Sequence, residues 1–192
     1  EAYLTEGEDA MIPEGTPSLV SVETTITGYD LREVSPINWP CIGTGHEGPR
    51  VQWVYVYRAG ATNRLADLRP GLVSIAKRTN AVVYNSSMDN NGTPQKIRYL
   101  TNSACGLAIG TAKVSGDINN FGNVKNQLRA LGFNRTDRKY MLSIDGGTNC
   151  GLGDLYAQDI ADSSNRNNQG NMFAASWKPC WNYAEPHELG HM

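Results

Sequence analysis

Three residues near the end of the chain have types and spacing that can do chemistry together. His187, Glu188 and His191 stand in the run His187-Glu188-Leu189-Gly190-His191-Met192, an H-E-x-x-H pattern. Side chains four apart on a helix share one face, about 6 Å apart along the axis. Both imidazoles can therefore reach one metal ion. Glu188 leaves the helix in a neighbouring direction, towards water held by that metal rather than the metal itself. Zinc lowers the pKa of such water to roughly 7, and a carboxylate can take its proton as the hydroxide attacks a peptide carbonyl. The pattern thus predicts Zn2+ as cofactor, His187 and His191 as ligands and Glu188 as the catalytic base. Catalytic zinc usually has three protein ligands and an open position. The chain has 3 histidines, and the remaining one, His46, is far off in sequence and reads as a surface loop residue.

These side chains need a helix to present them. Pro186 suits a first helical turn, where its missing N–H costs nothing, and Glu185 and Glu188 suit the positive end of the helix dipole. Upstream, VQWVYVY (51–57) reads as a strand buried on both faces. Leu65, Leu68, Leu72 and Ile75 recur as one helical stripe, with Pro70 in its first turn or at a kink and Asn80 as its stop. Residues 81–84 and 97–101 read as short strands. Asn120 can cap a second helix striped by Phe121, Val124, Leu128 and Leu131 and ended by Gly132. KYMLSID (139–145), LYAQ (155–158) and NMFAASW (171–177) read as strands, and the Asp145-Gly146-Gly147 loop as a turn rather than a calcium site. The alternation predicts an α+β fold with α/β-like order: a mixed, mostly parallel twisted sheet, packed helices and a C-terminal helix bearing the motif. Residues 1–50 look different. They are rich in Glu, Thr, Pro and Gly and read as an N-terminal arm or propeptide remnant with one strand at 18–27, whereas 51–192 read as the main domain.

The 192 residues suit one core. A net charge of -2 gives no reason to expect nucleic acid or an anionic membrane as partner, and no apolar run approaches the roughly 20 residues of a membrane span. The widely spaced Cys41, Cys105, Cys150 and Cys180 form no C-x-x-C pair, which argues against a thiolate zinc site and for two disulfides in an oxidising, extracellular setting. Of the three connectivities, Cys41–Cys105 with Cys150–Cys180 is the expectation, with four buried free thiols as the alternative. Trp177, Trp181 and Tyr183, just before the motif, read as core or cleft wall, with a binding surface as the alternative.

HELGHM (187–192) resembles the start of the extended metzincin motif, H-E-x-x-H-x-x-G-x-x-H, and the element order upstream is similar to the metzincin upper subdomain. The resemblance implies a secreted zinc-dependent endopeptidase acting on peptide or protein substrates. It implies that Gly190 lets the active helix pack closely. It also implies that an antiparallel edge strand, here Gly151, Leu152, Gly153, Asp154 and Leu155, binds the substrate by main-chain pairing. The family's third histidine and Met-turn would follow Met192, so the chain reads as truncated within the zinc motif. It is then expected to bind zinc weakly, hydrolyse poorly, and associate with a missing C-terminal segment or with itself. Three alternatives stand beside this: a gluzincin-type peptidase with a downstream Glu ligand, a secreted non-catalytic binding or structural domain with a degenerate motif, and a cysteine-switch role for Cys41.

Overall fold

A computed structural model describes residues 3–5, 31, 34–158 and 160–192. Six strands form one sheet: β1 (Tyr3–Thr5), β2 (Arg50–Arg58), β3 (Ile109–Val114), β4 (Arg138–Asp145), β5 (Gly151–Leu155) and β6 (Met172–Trp177). Their order across the sheet is β1-β5-β6-β4-β2-β3. β3, β2, β4 and β6 run parallel. β5 runs antiparallel to β6, and β1 antiparallel to β5. Among the described residues, helices α1 (Leu65–Asn91), α2 (Phe121–Ala130) and α3 (Ala184–Gly190) accompany the sheet, giving an α+β fold with a mixed, mostly parallel sheet.

Strand alternation divides the core between two faces. Val54, Val56, Leu142, Ile144 and Phe173 meet Phe121, Val124 and Leu128 of α2 on one face. Trp53, Tyr55, Met141 and Ala174 meet Leu72, Ile75 and Ala76 of α1, together with Met192 just after α3, on the other. Both faces are covered, so β6 is buried along its whole length, as expected of a central strand flanked by helices. The one polar residue on this stretch of β4, Ser143, accepts a hydrogen bond from Trp53 Nε1 at 2.8 Å.

Several local expectations are corrected. Asn80 does not stop α1; its side-chain amide is buried and donates to Ile37 O at 3.1 Å while accepting from Ile97 N at 2.8 Å. The helix continues through 81–84, expected as a strand, and ends at Gly92, whose φ of 68° gives the left-handed cap that glycine adopts freely. Pro70 lies inside α1, past its first turn. Segment 97–101 is irregular; isolated bridges join Tyr99 to Val51 and Thr101 to Leu107. The strand expected at 155–158 lies earlier, at Gly151–Leu155, where the family resemblance put an antiparallel strand, although β1 and not β5 is at the edge of the sheet, and nothing in the sequence signals β3. Asn120 caps α2 by accepting from Asn123 N, but Leu131, expected on the buried stripe, is 56% exposed. The strand expected at 18–27 lies outside the described residues.

Candidate metal centre

The strap that carries the motif leaves β6 through a single 3-10 turn, Lys178–Cys180. Disulfides join Cys150 to Cys180 and Cys41 to Cys105, which excludes free thiols and removes Cys41 as a zinc-switch thiolate. The first of these ties the strap to the start of β5, and Trp177 N donates to Cys150 O at 2.9 Å. The Tyr183 hydroxyl rests on both sulfurs, 3.1 Å from Cys150 Sγ and 2.6 Å from Cys180 Sγ. Trp177 is core, its Nε1 donating to Ile118 O at 3.0 Å. Trp181 packs partly buried against the α1 face.

α3 starts without a side-chain cap at Tyr183. Glu185 ties down the residue before the cap: its Oε2 accepts from Asn182 N at 3.1 Å. The sequence suggested only a dipole role for Glu185, yet it is 0% exposed, and its Oε1 has no hydrogen-bond partner among the described residues. Burial pushes its carboxyl up to about 7, against the pull of the backbone hydrogen bonds and Ser176.

The two motif histidines converge. Their Nε2 atoms lie 3.2 Å apart, with His187 exposed and His191 half-buried. Tetrahedral zinc with Zn–N bonds of about 2.0–2.1 Å sets neighbouring nitrogens roughly 3.3–3.4 Å apart, so the pair fits one zinc ion with little adjustment. Burial, and then His187, hold the His191 pKa below its ordinary value. This favours the neutral imidazole that a metal requires.

Glu188 turns the other way. Its side chain is almost fully buried, 1% exposed, against β5. A Cβ on Gly151 would collide with its carboxyl group, and one on Gly153 would lie 3.0 Å from Glu188 O and 3.1 Å from His191 Cβ. These two glycines let α3 approach the strand. Gly190, expected to do so, has nothing within 4 Å of a Cβ position. Burial, reinforced by Glu185, pushes the Glu188 carboxyl up to about 8.

No described cluster of three or more His, Cys, Asp or Glu side chains is arranged to hold a metal. His46 is exposed, and its carbonyl is engaged by the Arg138 guanidinium at 2.5 Å. Asp145 is likewise engaged, by Tyr55 at 2.6 Å and by the Arg64 guanidinium, so its loop offers no free carboxylate to calcium. Within the expected substrate strand, Asp154 is buried and paired with Lys125, and its Oδ2 accepts from Phe173 N at 3.0 Å. That side chain holds the fold. The outer edge of β5 pairs with β1, through Tyr3↔Leu155, Leu4↔Asp154 and Thr5↔Gly153. No described helix is long and apolar enough to cross a membrane.

No protein-family model and no curated protein matches the chain. Among solved structures, metalloproteinase-II from Bacteroides fragilis is similar at 16% identity with a TM-score of 0.37, over 81% of this chain. The chain spans 45% of the length of that protein. The roles considered for His187, Glu188 and His191 rest on the geometry of this chain alone.

Proposed function

We propose that the chain carries two of the zinc ligands and the catalytic carboxylate of a secreted, metzincin-type endopeptidase. The observation that carries this reading is the 3.2 Å separation of the His187 and His191 Nε2 atoms on one helix face. Zinc, when bound, supplies Lewis acidity and a water acidic enough to lose its proton near neutral pH. His187 and His191 would hold it. Glu188 takes the proton from the attacking water and returns it to the leaving amine. For this the carboxyl must swing from its seat against Gly151 towards the histidines. The backbone of Gly151–Leu155 aligns an extended peptide by main-chain pairing, in place of β1. Two disulfides suit an oxidising compartment, consistent with action outside the cell.

With two described histidine ligands, the chain alone binds zinc weakly and hydrolyses peptides poorly. A third ligand would complete the tetrahedral set and leave one position open. Zinc per chain after dialysis at neutral pH tests the reading. About one zinc, lost in His187→Ala and in His191→Ala, supports it; no zinc, even in a chain extended past Met192, rejects it. The burial of Glu188 favours a second reading, a secreted non-catalytic domain with a degenerate motif. That reading predicts zinc binding without hydrolysis in the extended chain.

A further inference from the structure

Away from the histidines, the described residues line an open cavity of about 470 Å³ beside the starts of β2 and β4. Arg50, Arg98, Arg138 and Lys139 line it. The sheet itself gathers these charges: Arg50 opens β2 and pairs in register with Arg138, which opens β4, and Arg98 lies next to the residue that bridges to Val51. Asp137 is the one carboxylate on the described wall, and it is already held by Arg135 at 2.8 Å and Arg138 at 2.7 Å.

The cluster is short of negative charge. The Arg50 and Arg138 side chains are 0% and 2% exposed. Their guanidinium groups donate to backbone carbonyls, Arg50 to Ile42, Glu47 and Tyr99, and Arg138 to His46 and Gly48. Carbonyls satisfy donors but cancel no charge; Glu47, 3.8 Å from the Arg50 guanidinium, and Asp137 face four cations. Burial and then repulsion from Arg98 lower the Arg50 pKa, with Glu47 opposing and Arg138 adding to the effect. Burial alone holds Lys139 at about 8. Donors also remain unused. Lys139 Nζ donates to Asn167 O at 2.6 Å and has three N–H groups to place, and the Arg98 guanidinium spends one Nη on Glu47 O at 3.3 Å.

We propose that this cavity binds a phosphate or sulfate group, as the free ion or as an ester on a small organic molecule. A doubly charged tetrahedral oxyanion offers acceptors to the spare Lys139 protons and to the Arg98 guanidinium, and supplies the charge by which Glu47 and Asp137 fall short of the four cations. Small-molecule pockets span roughly 300–1,000 Å³, so the cavity has room for an organic body beside the anion. The site is independent of zinc and of the peptidase reading.

The test is calorimetric titration of the full chain with inorganic phosphate, sulfate, phosphoserine and a monosaccharide sulfate, at ionic strength held constant with sodium chloride. Saturable binding of at least one probe is expected. It should weaken at least tenfold in Arg98→Gln and in Lys139→Gln, and stay unchanged in Lys113→Gln, which removes the same charge from an exposed position on β3. Tighter binding of the inorganic ions identifies a free-ion site, and tighter binding of the esters a small-molecule site. Lys139→Gln suffices if Arg98→Gln does not fold. No saturable binding by any of the four probes, or binding that survives the cavity substitutions, overturns the proposal.

Discussion

Glu185 and Glu188 sit one helical turn apart at the buried start of α3, and each prefers to be protonated. Their folded pKa values, about 7 and about 8, lie above the value of 4.5 expected when unfolded. Between these limits the folded state binds more protons than the unfolded one. The stability these two carboxyls contribute to the zinc-free protein is therefore fully present below about pH 4.5 and is lost as pH rises to about 8. For Glu185 the shift corresponds to about 3 kcal/mol. Urea midpoints in chelator should drop between pH 5 and pH 8.5, and Glu185→Gln should flatten the drop; a midpoint that rises over this range contradicts the assignment. Gly151 provides a second residue-scale test. A methyl group there meets the Glu188 carboxyl, whereas one at Gly190 meets nothing. Gly151→Ala should cost about 1–3 kcal/mol, and Gly190→Ala should be neutral or stabilise by up to about 1 kcal/mol. Equal effects would mean that the helix does not lean on β5. The motif was legible because its spacing is local. The burial of Glu188 was not, because it depends on the close approach of α3 to two strand glycines distant in sequence.

At the scale of elements, α1 shows how tertiary contacts override local signals. Asparagine favours helix ends and Ala-Val-Val-Tyr favours strands, so the sequence placed a boundary at Asn80. The buried amide instead links α1 to Ile37 and Ile97, and the helix runs on to Gly92. Asn80→Ala should cost about 2–3 kcal/mol, because Ile37 O and the buried Ile97 N both lose their partner; chemical denaturation checks this, and a change below 0.5 kcal/mol would count against the link. The long two-sided strands β2, β4 and β6 were legible because burial on both faces writes a continuous apolar run. The family resemblance put an antiparallel strand at Gly151–Leu155, where β5 lies; the residue pattern alone put it at 155–158, because Gly-Leu-Gly-Asp-Leu lacks that run and its glycines answer to α3 rather than to strand propensity. β3 was missed because its alternation rests on small residues, Gly110 and Ala112.

Across the whole molecule, the two disulfides join segments 64 and 30 residues apart in sequence. Chain-entropy arguments give each about 3–4 kcal/mol. Replacing Cys150 and Cys180 with serine should lower the thermal midpoint and loosen the strap that aims His187 and His191, so zinc retention should fall along with stability. Zinc retention that stays intact while the midpoint falls would show that α3 is oriented by its packing on β5 alone. The pairing of β1 with β5 has a consequence of another kind. The edge offered to an extended peptide is already taken by three residues of the same chain. Any incoming peptide therefore meets an intramolecular rival present at a fixed effective concentration. Its apparent affinity is the intrinsic affinity multiplied by the fraction of molecules with that edge free. An edge open one part in a hundred would weaken binding about a hundredfold without altering a single contact in the site.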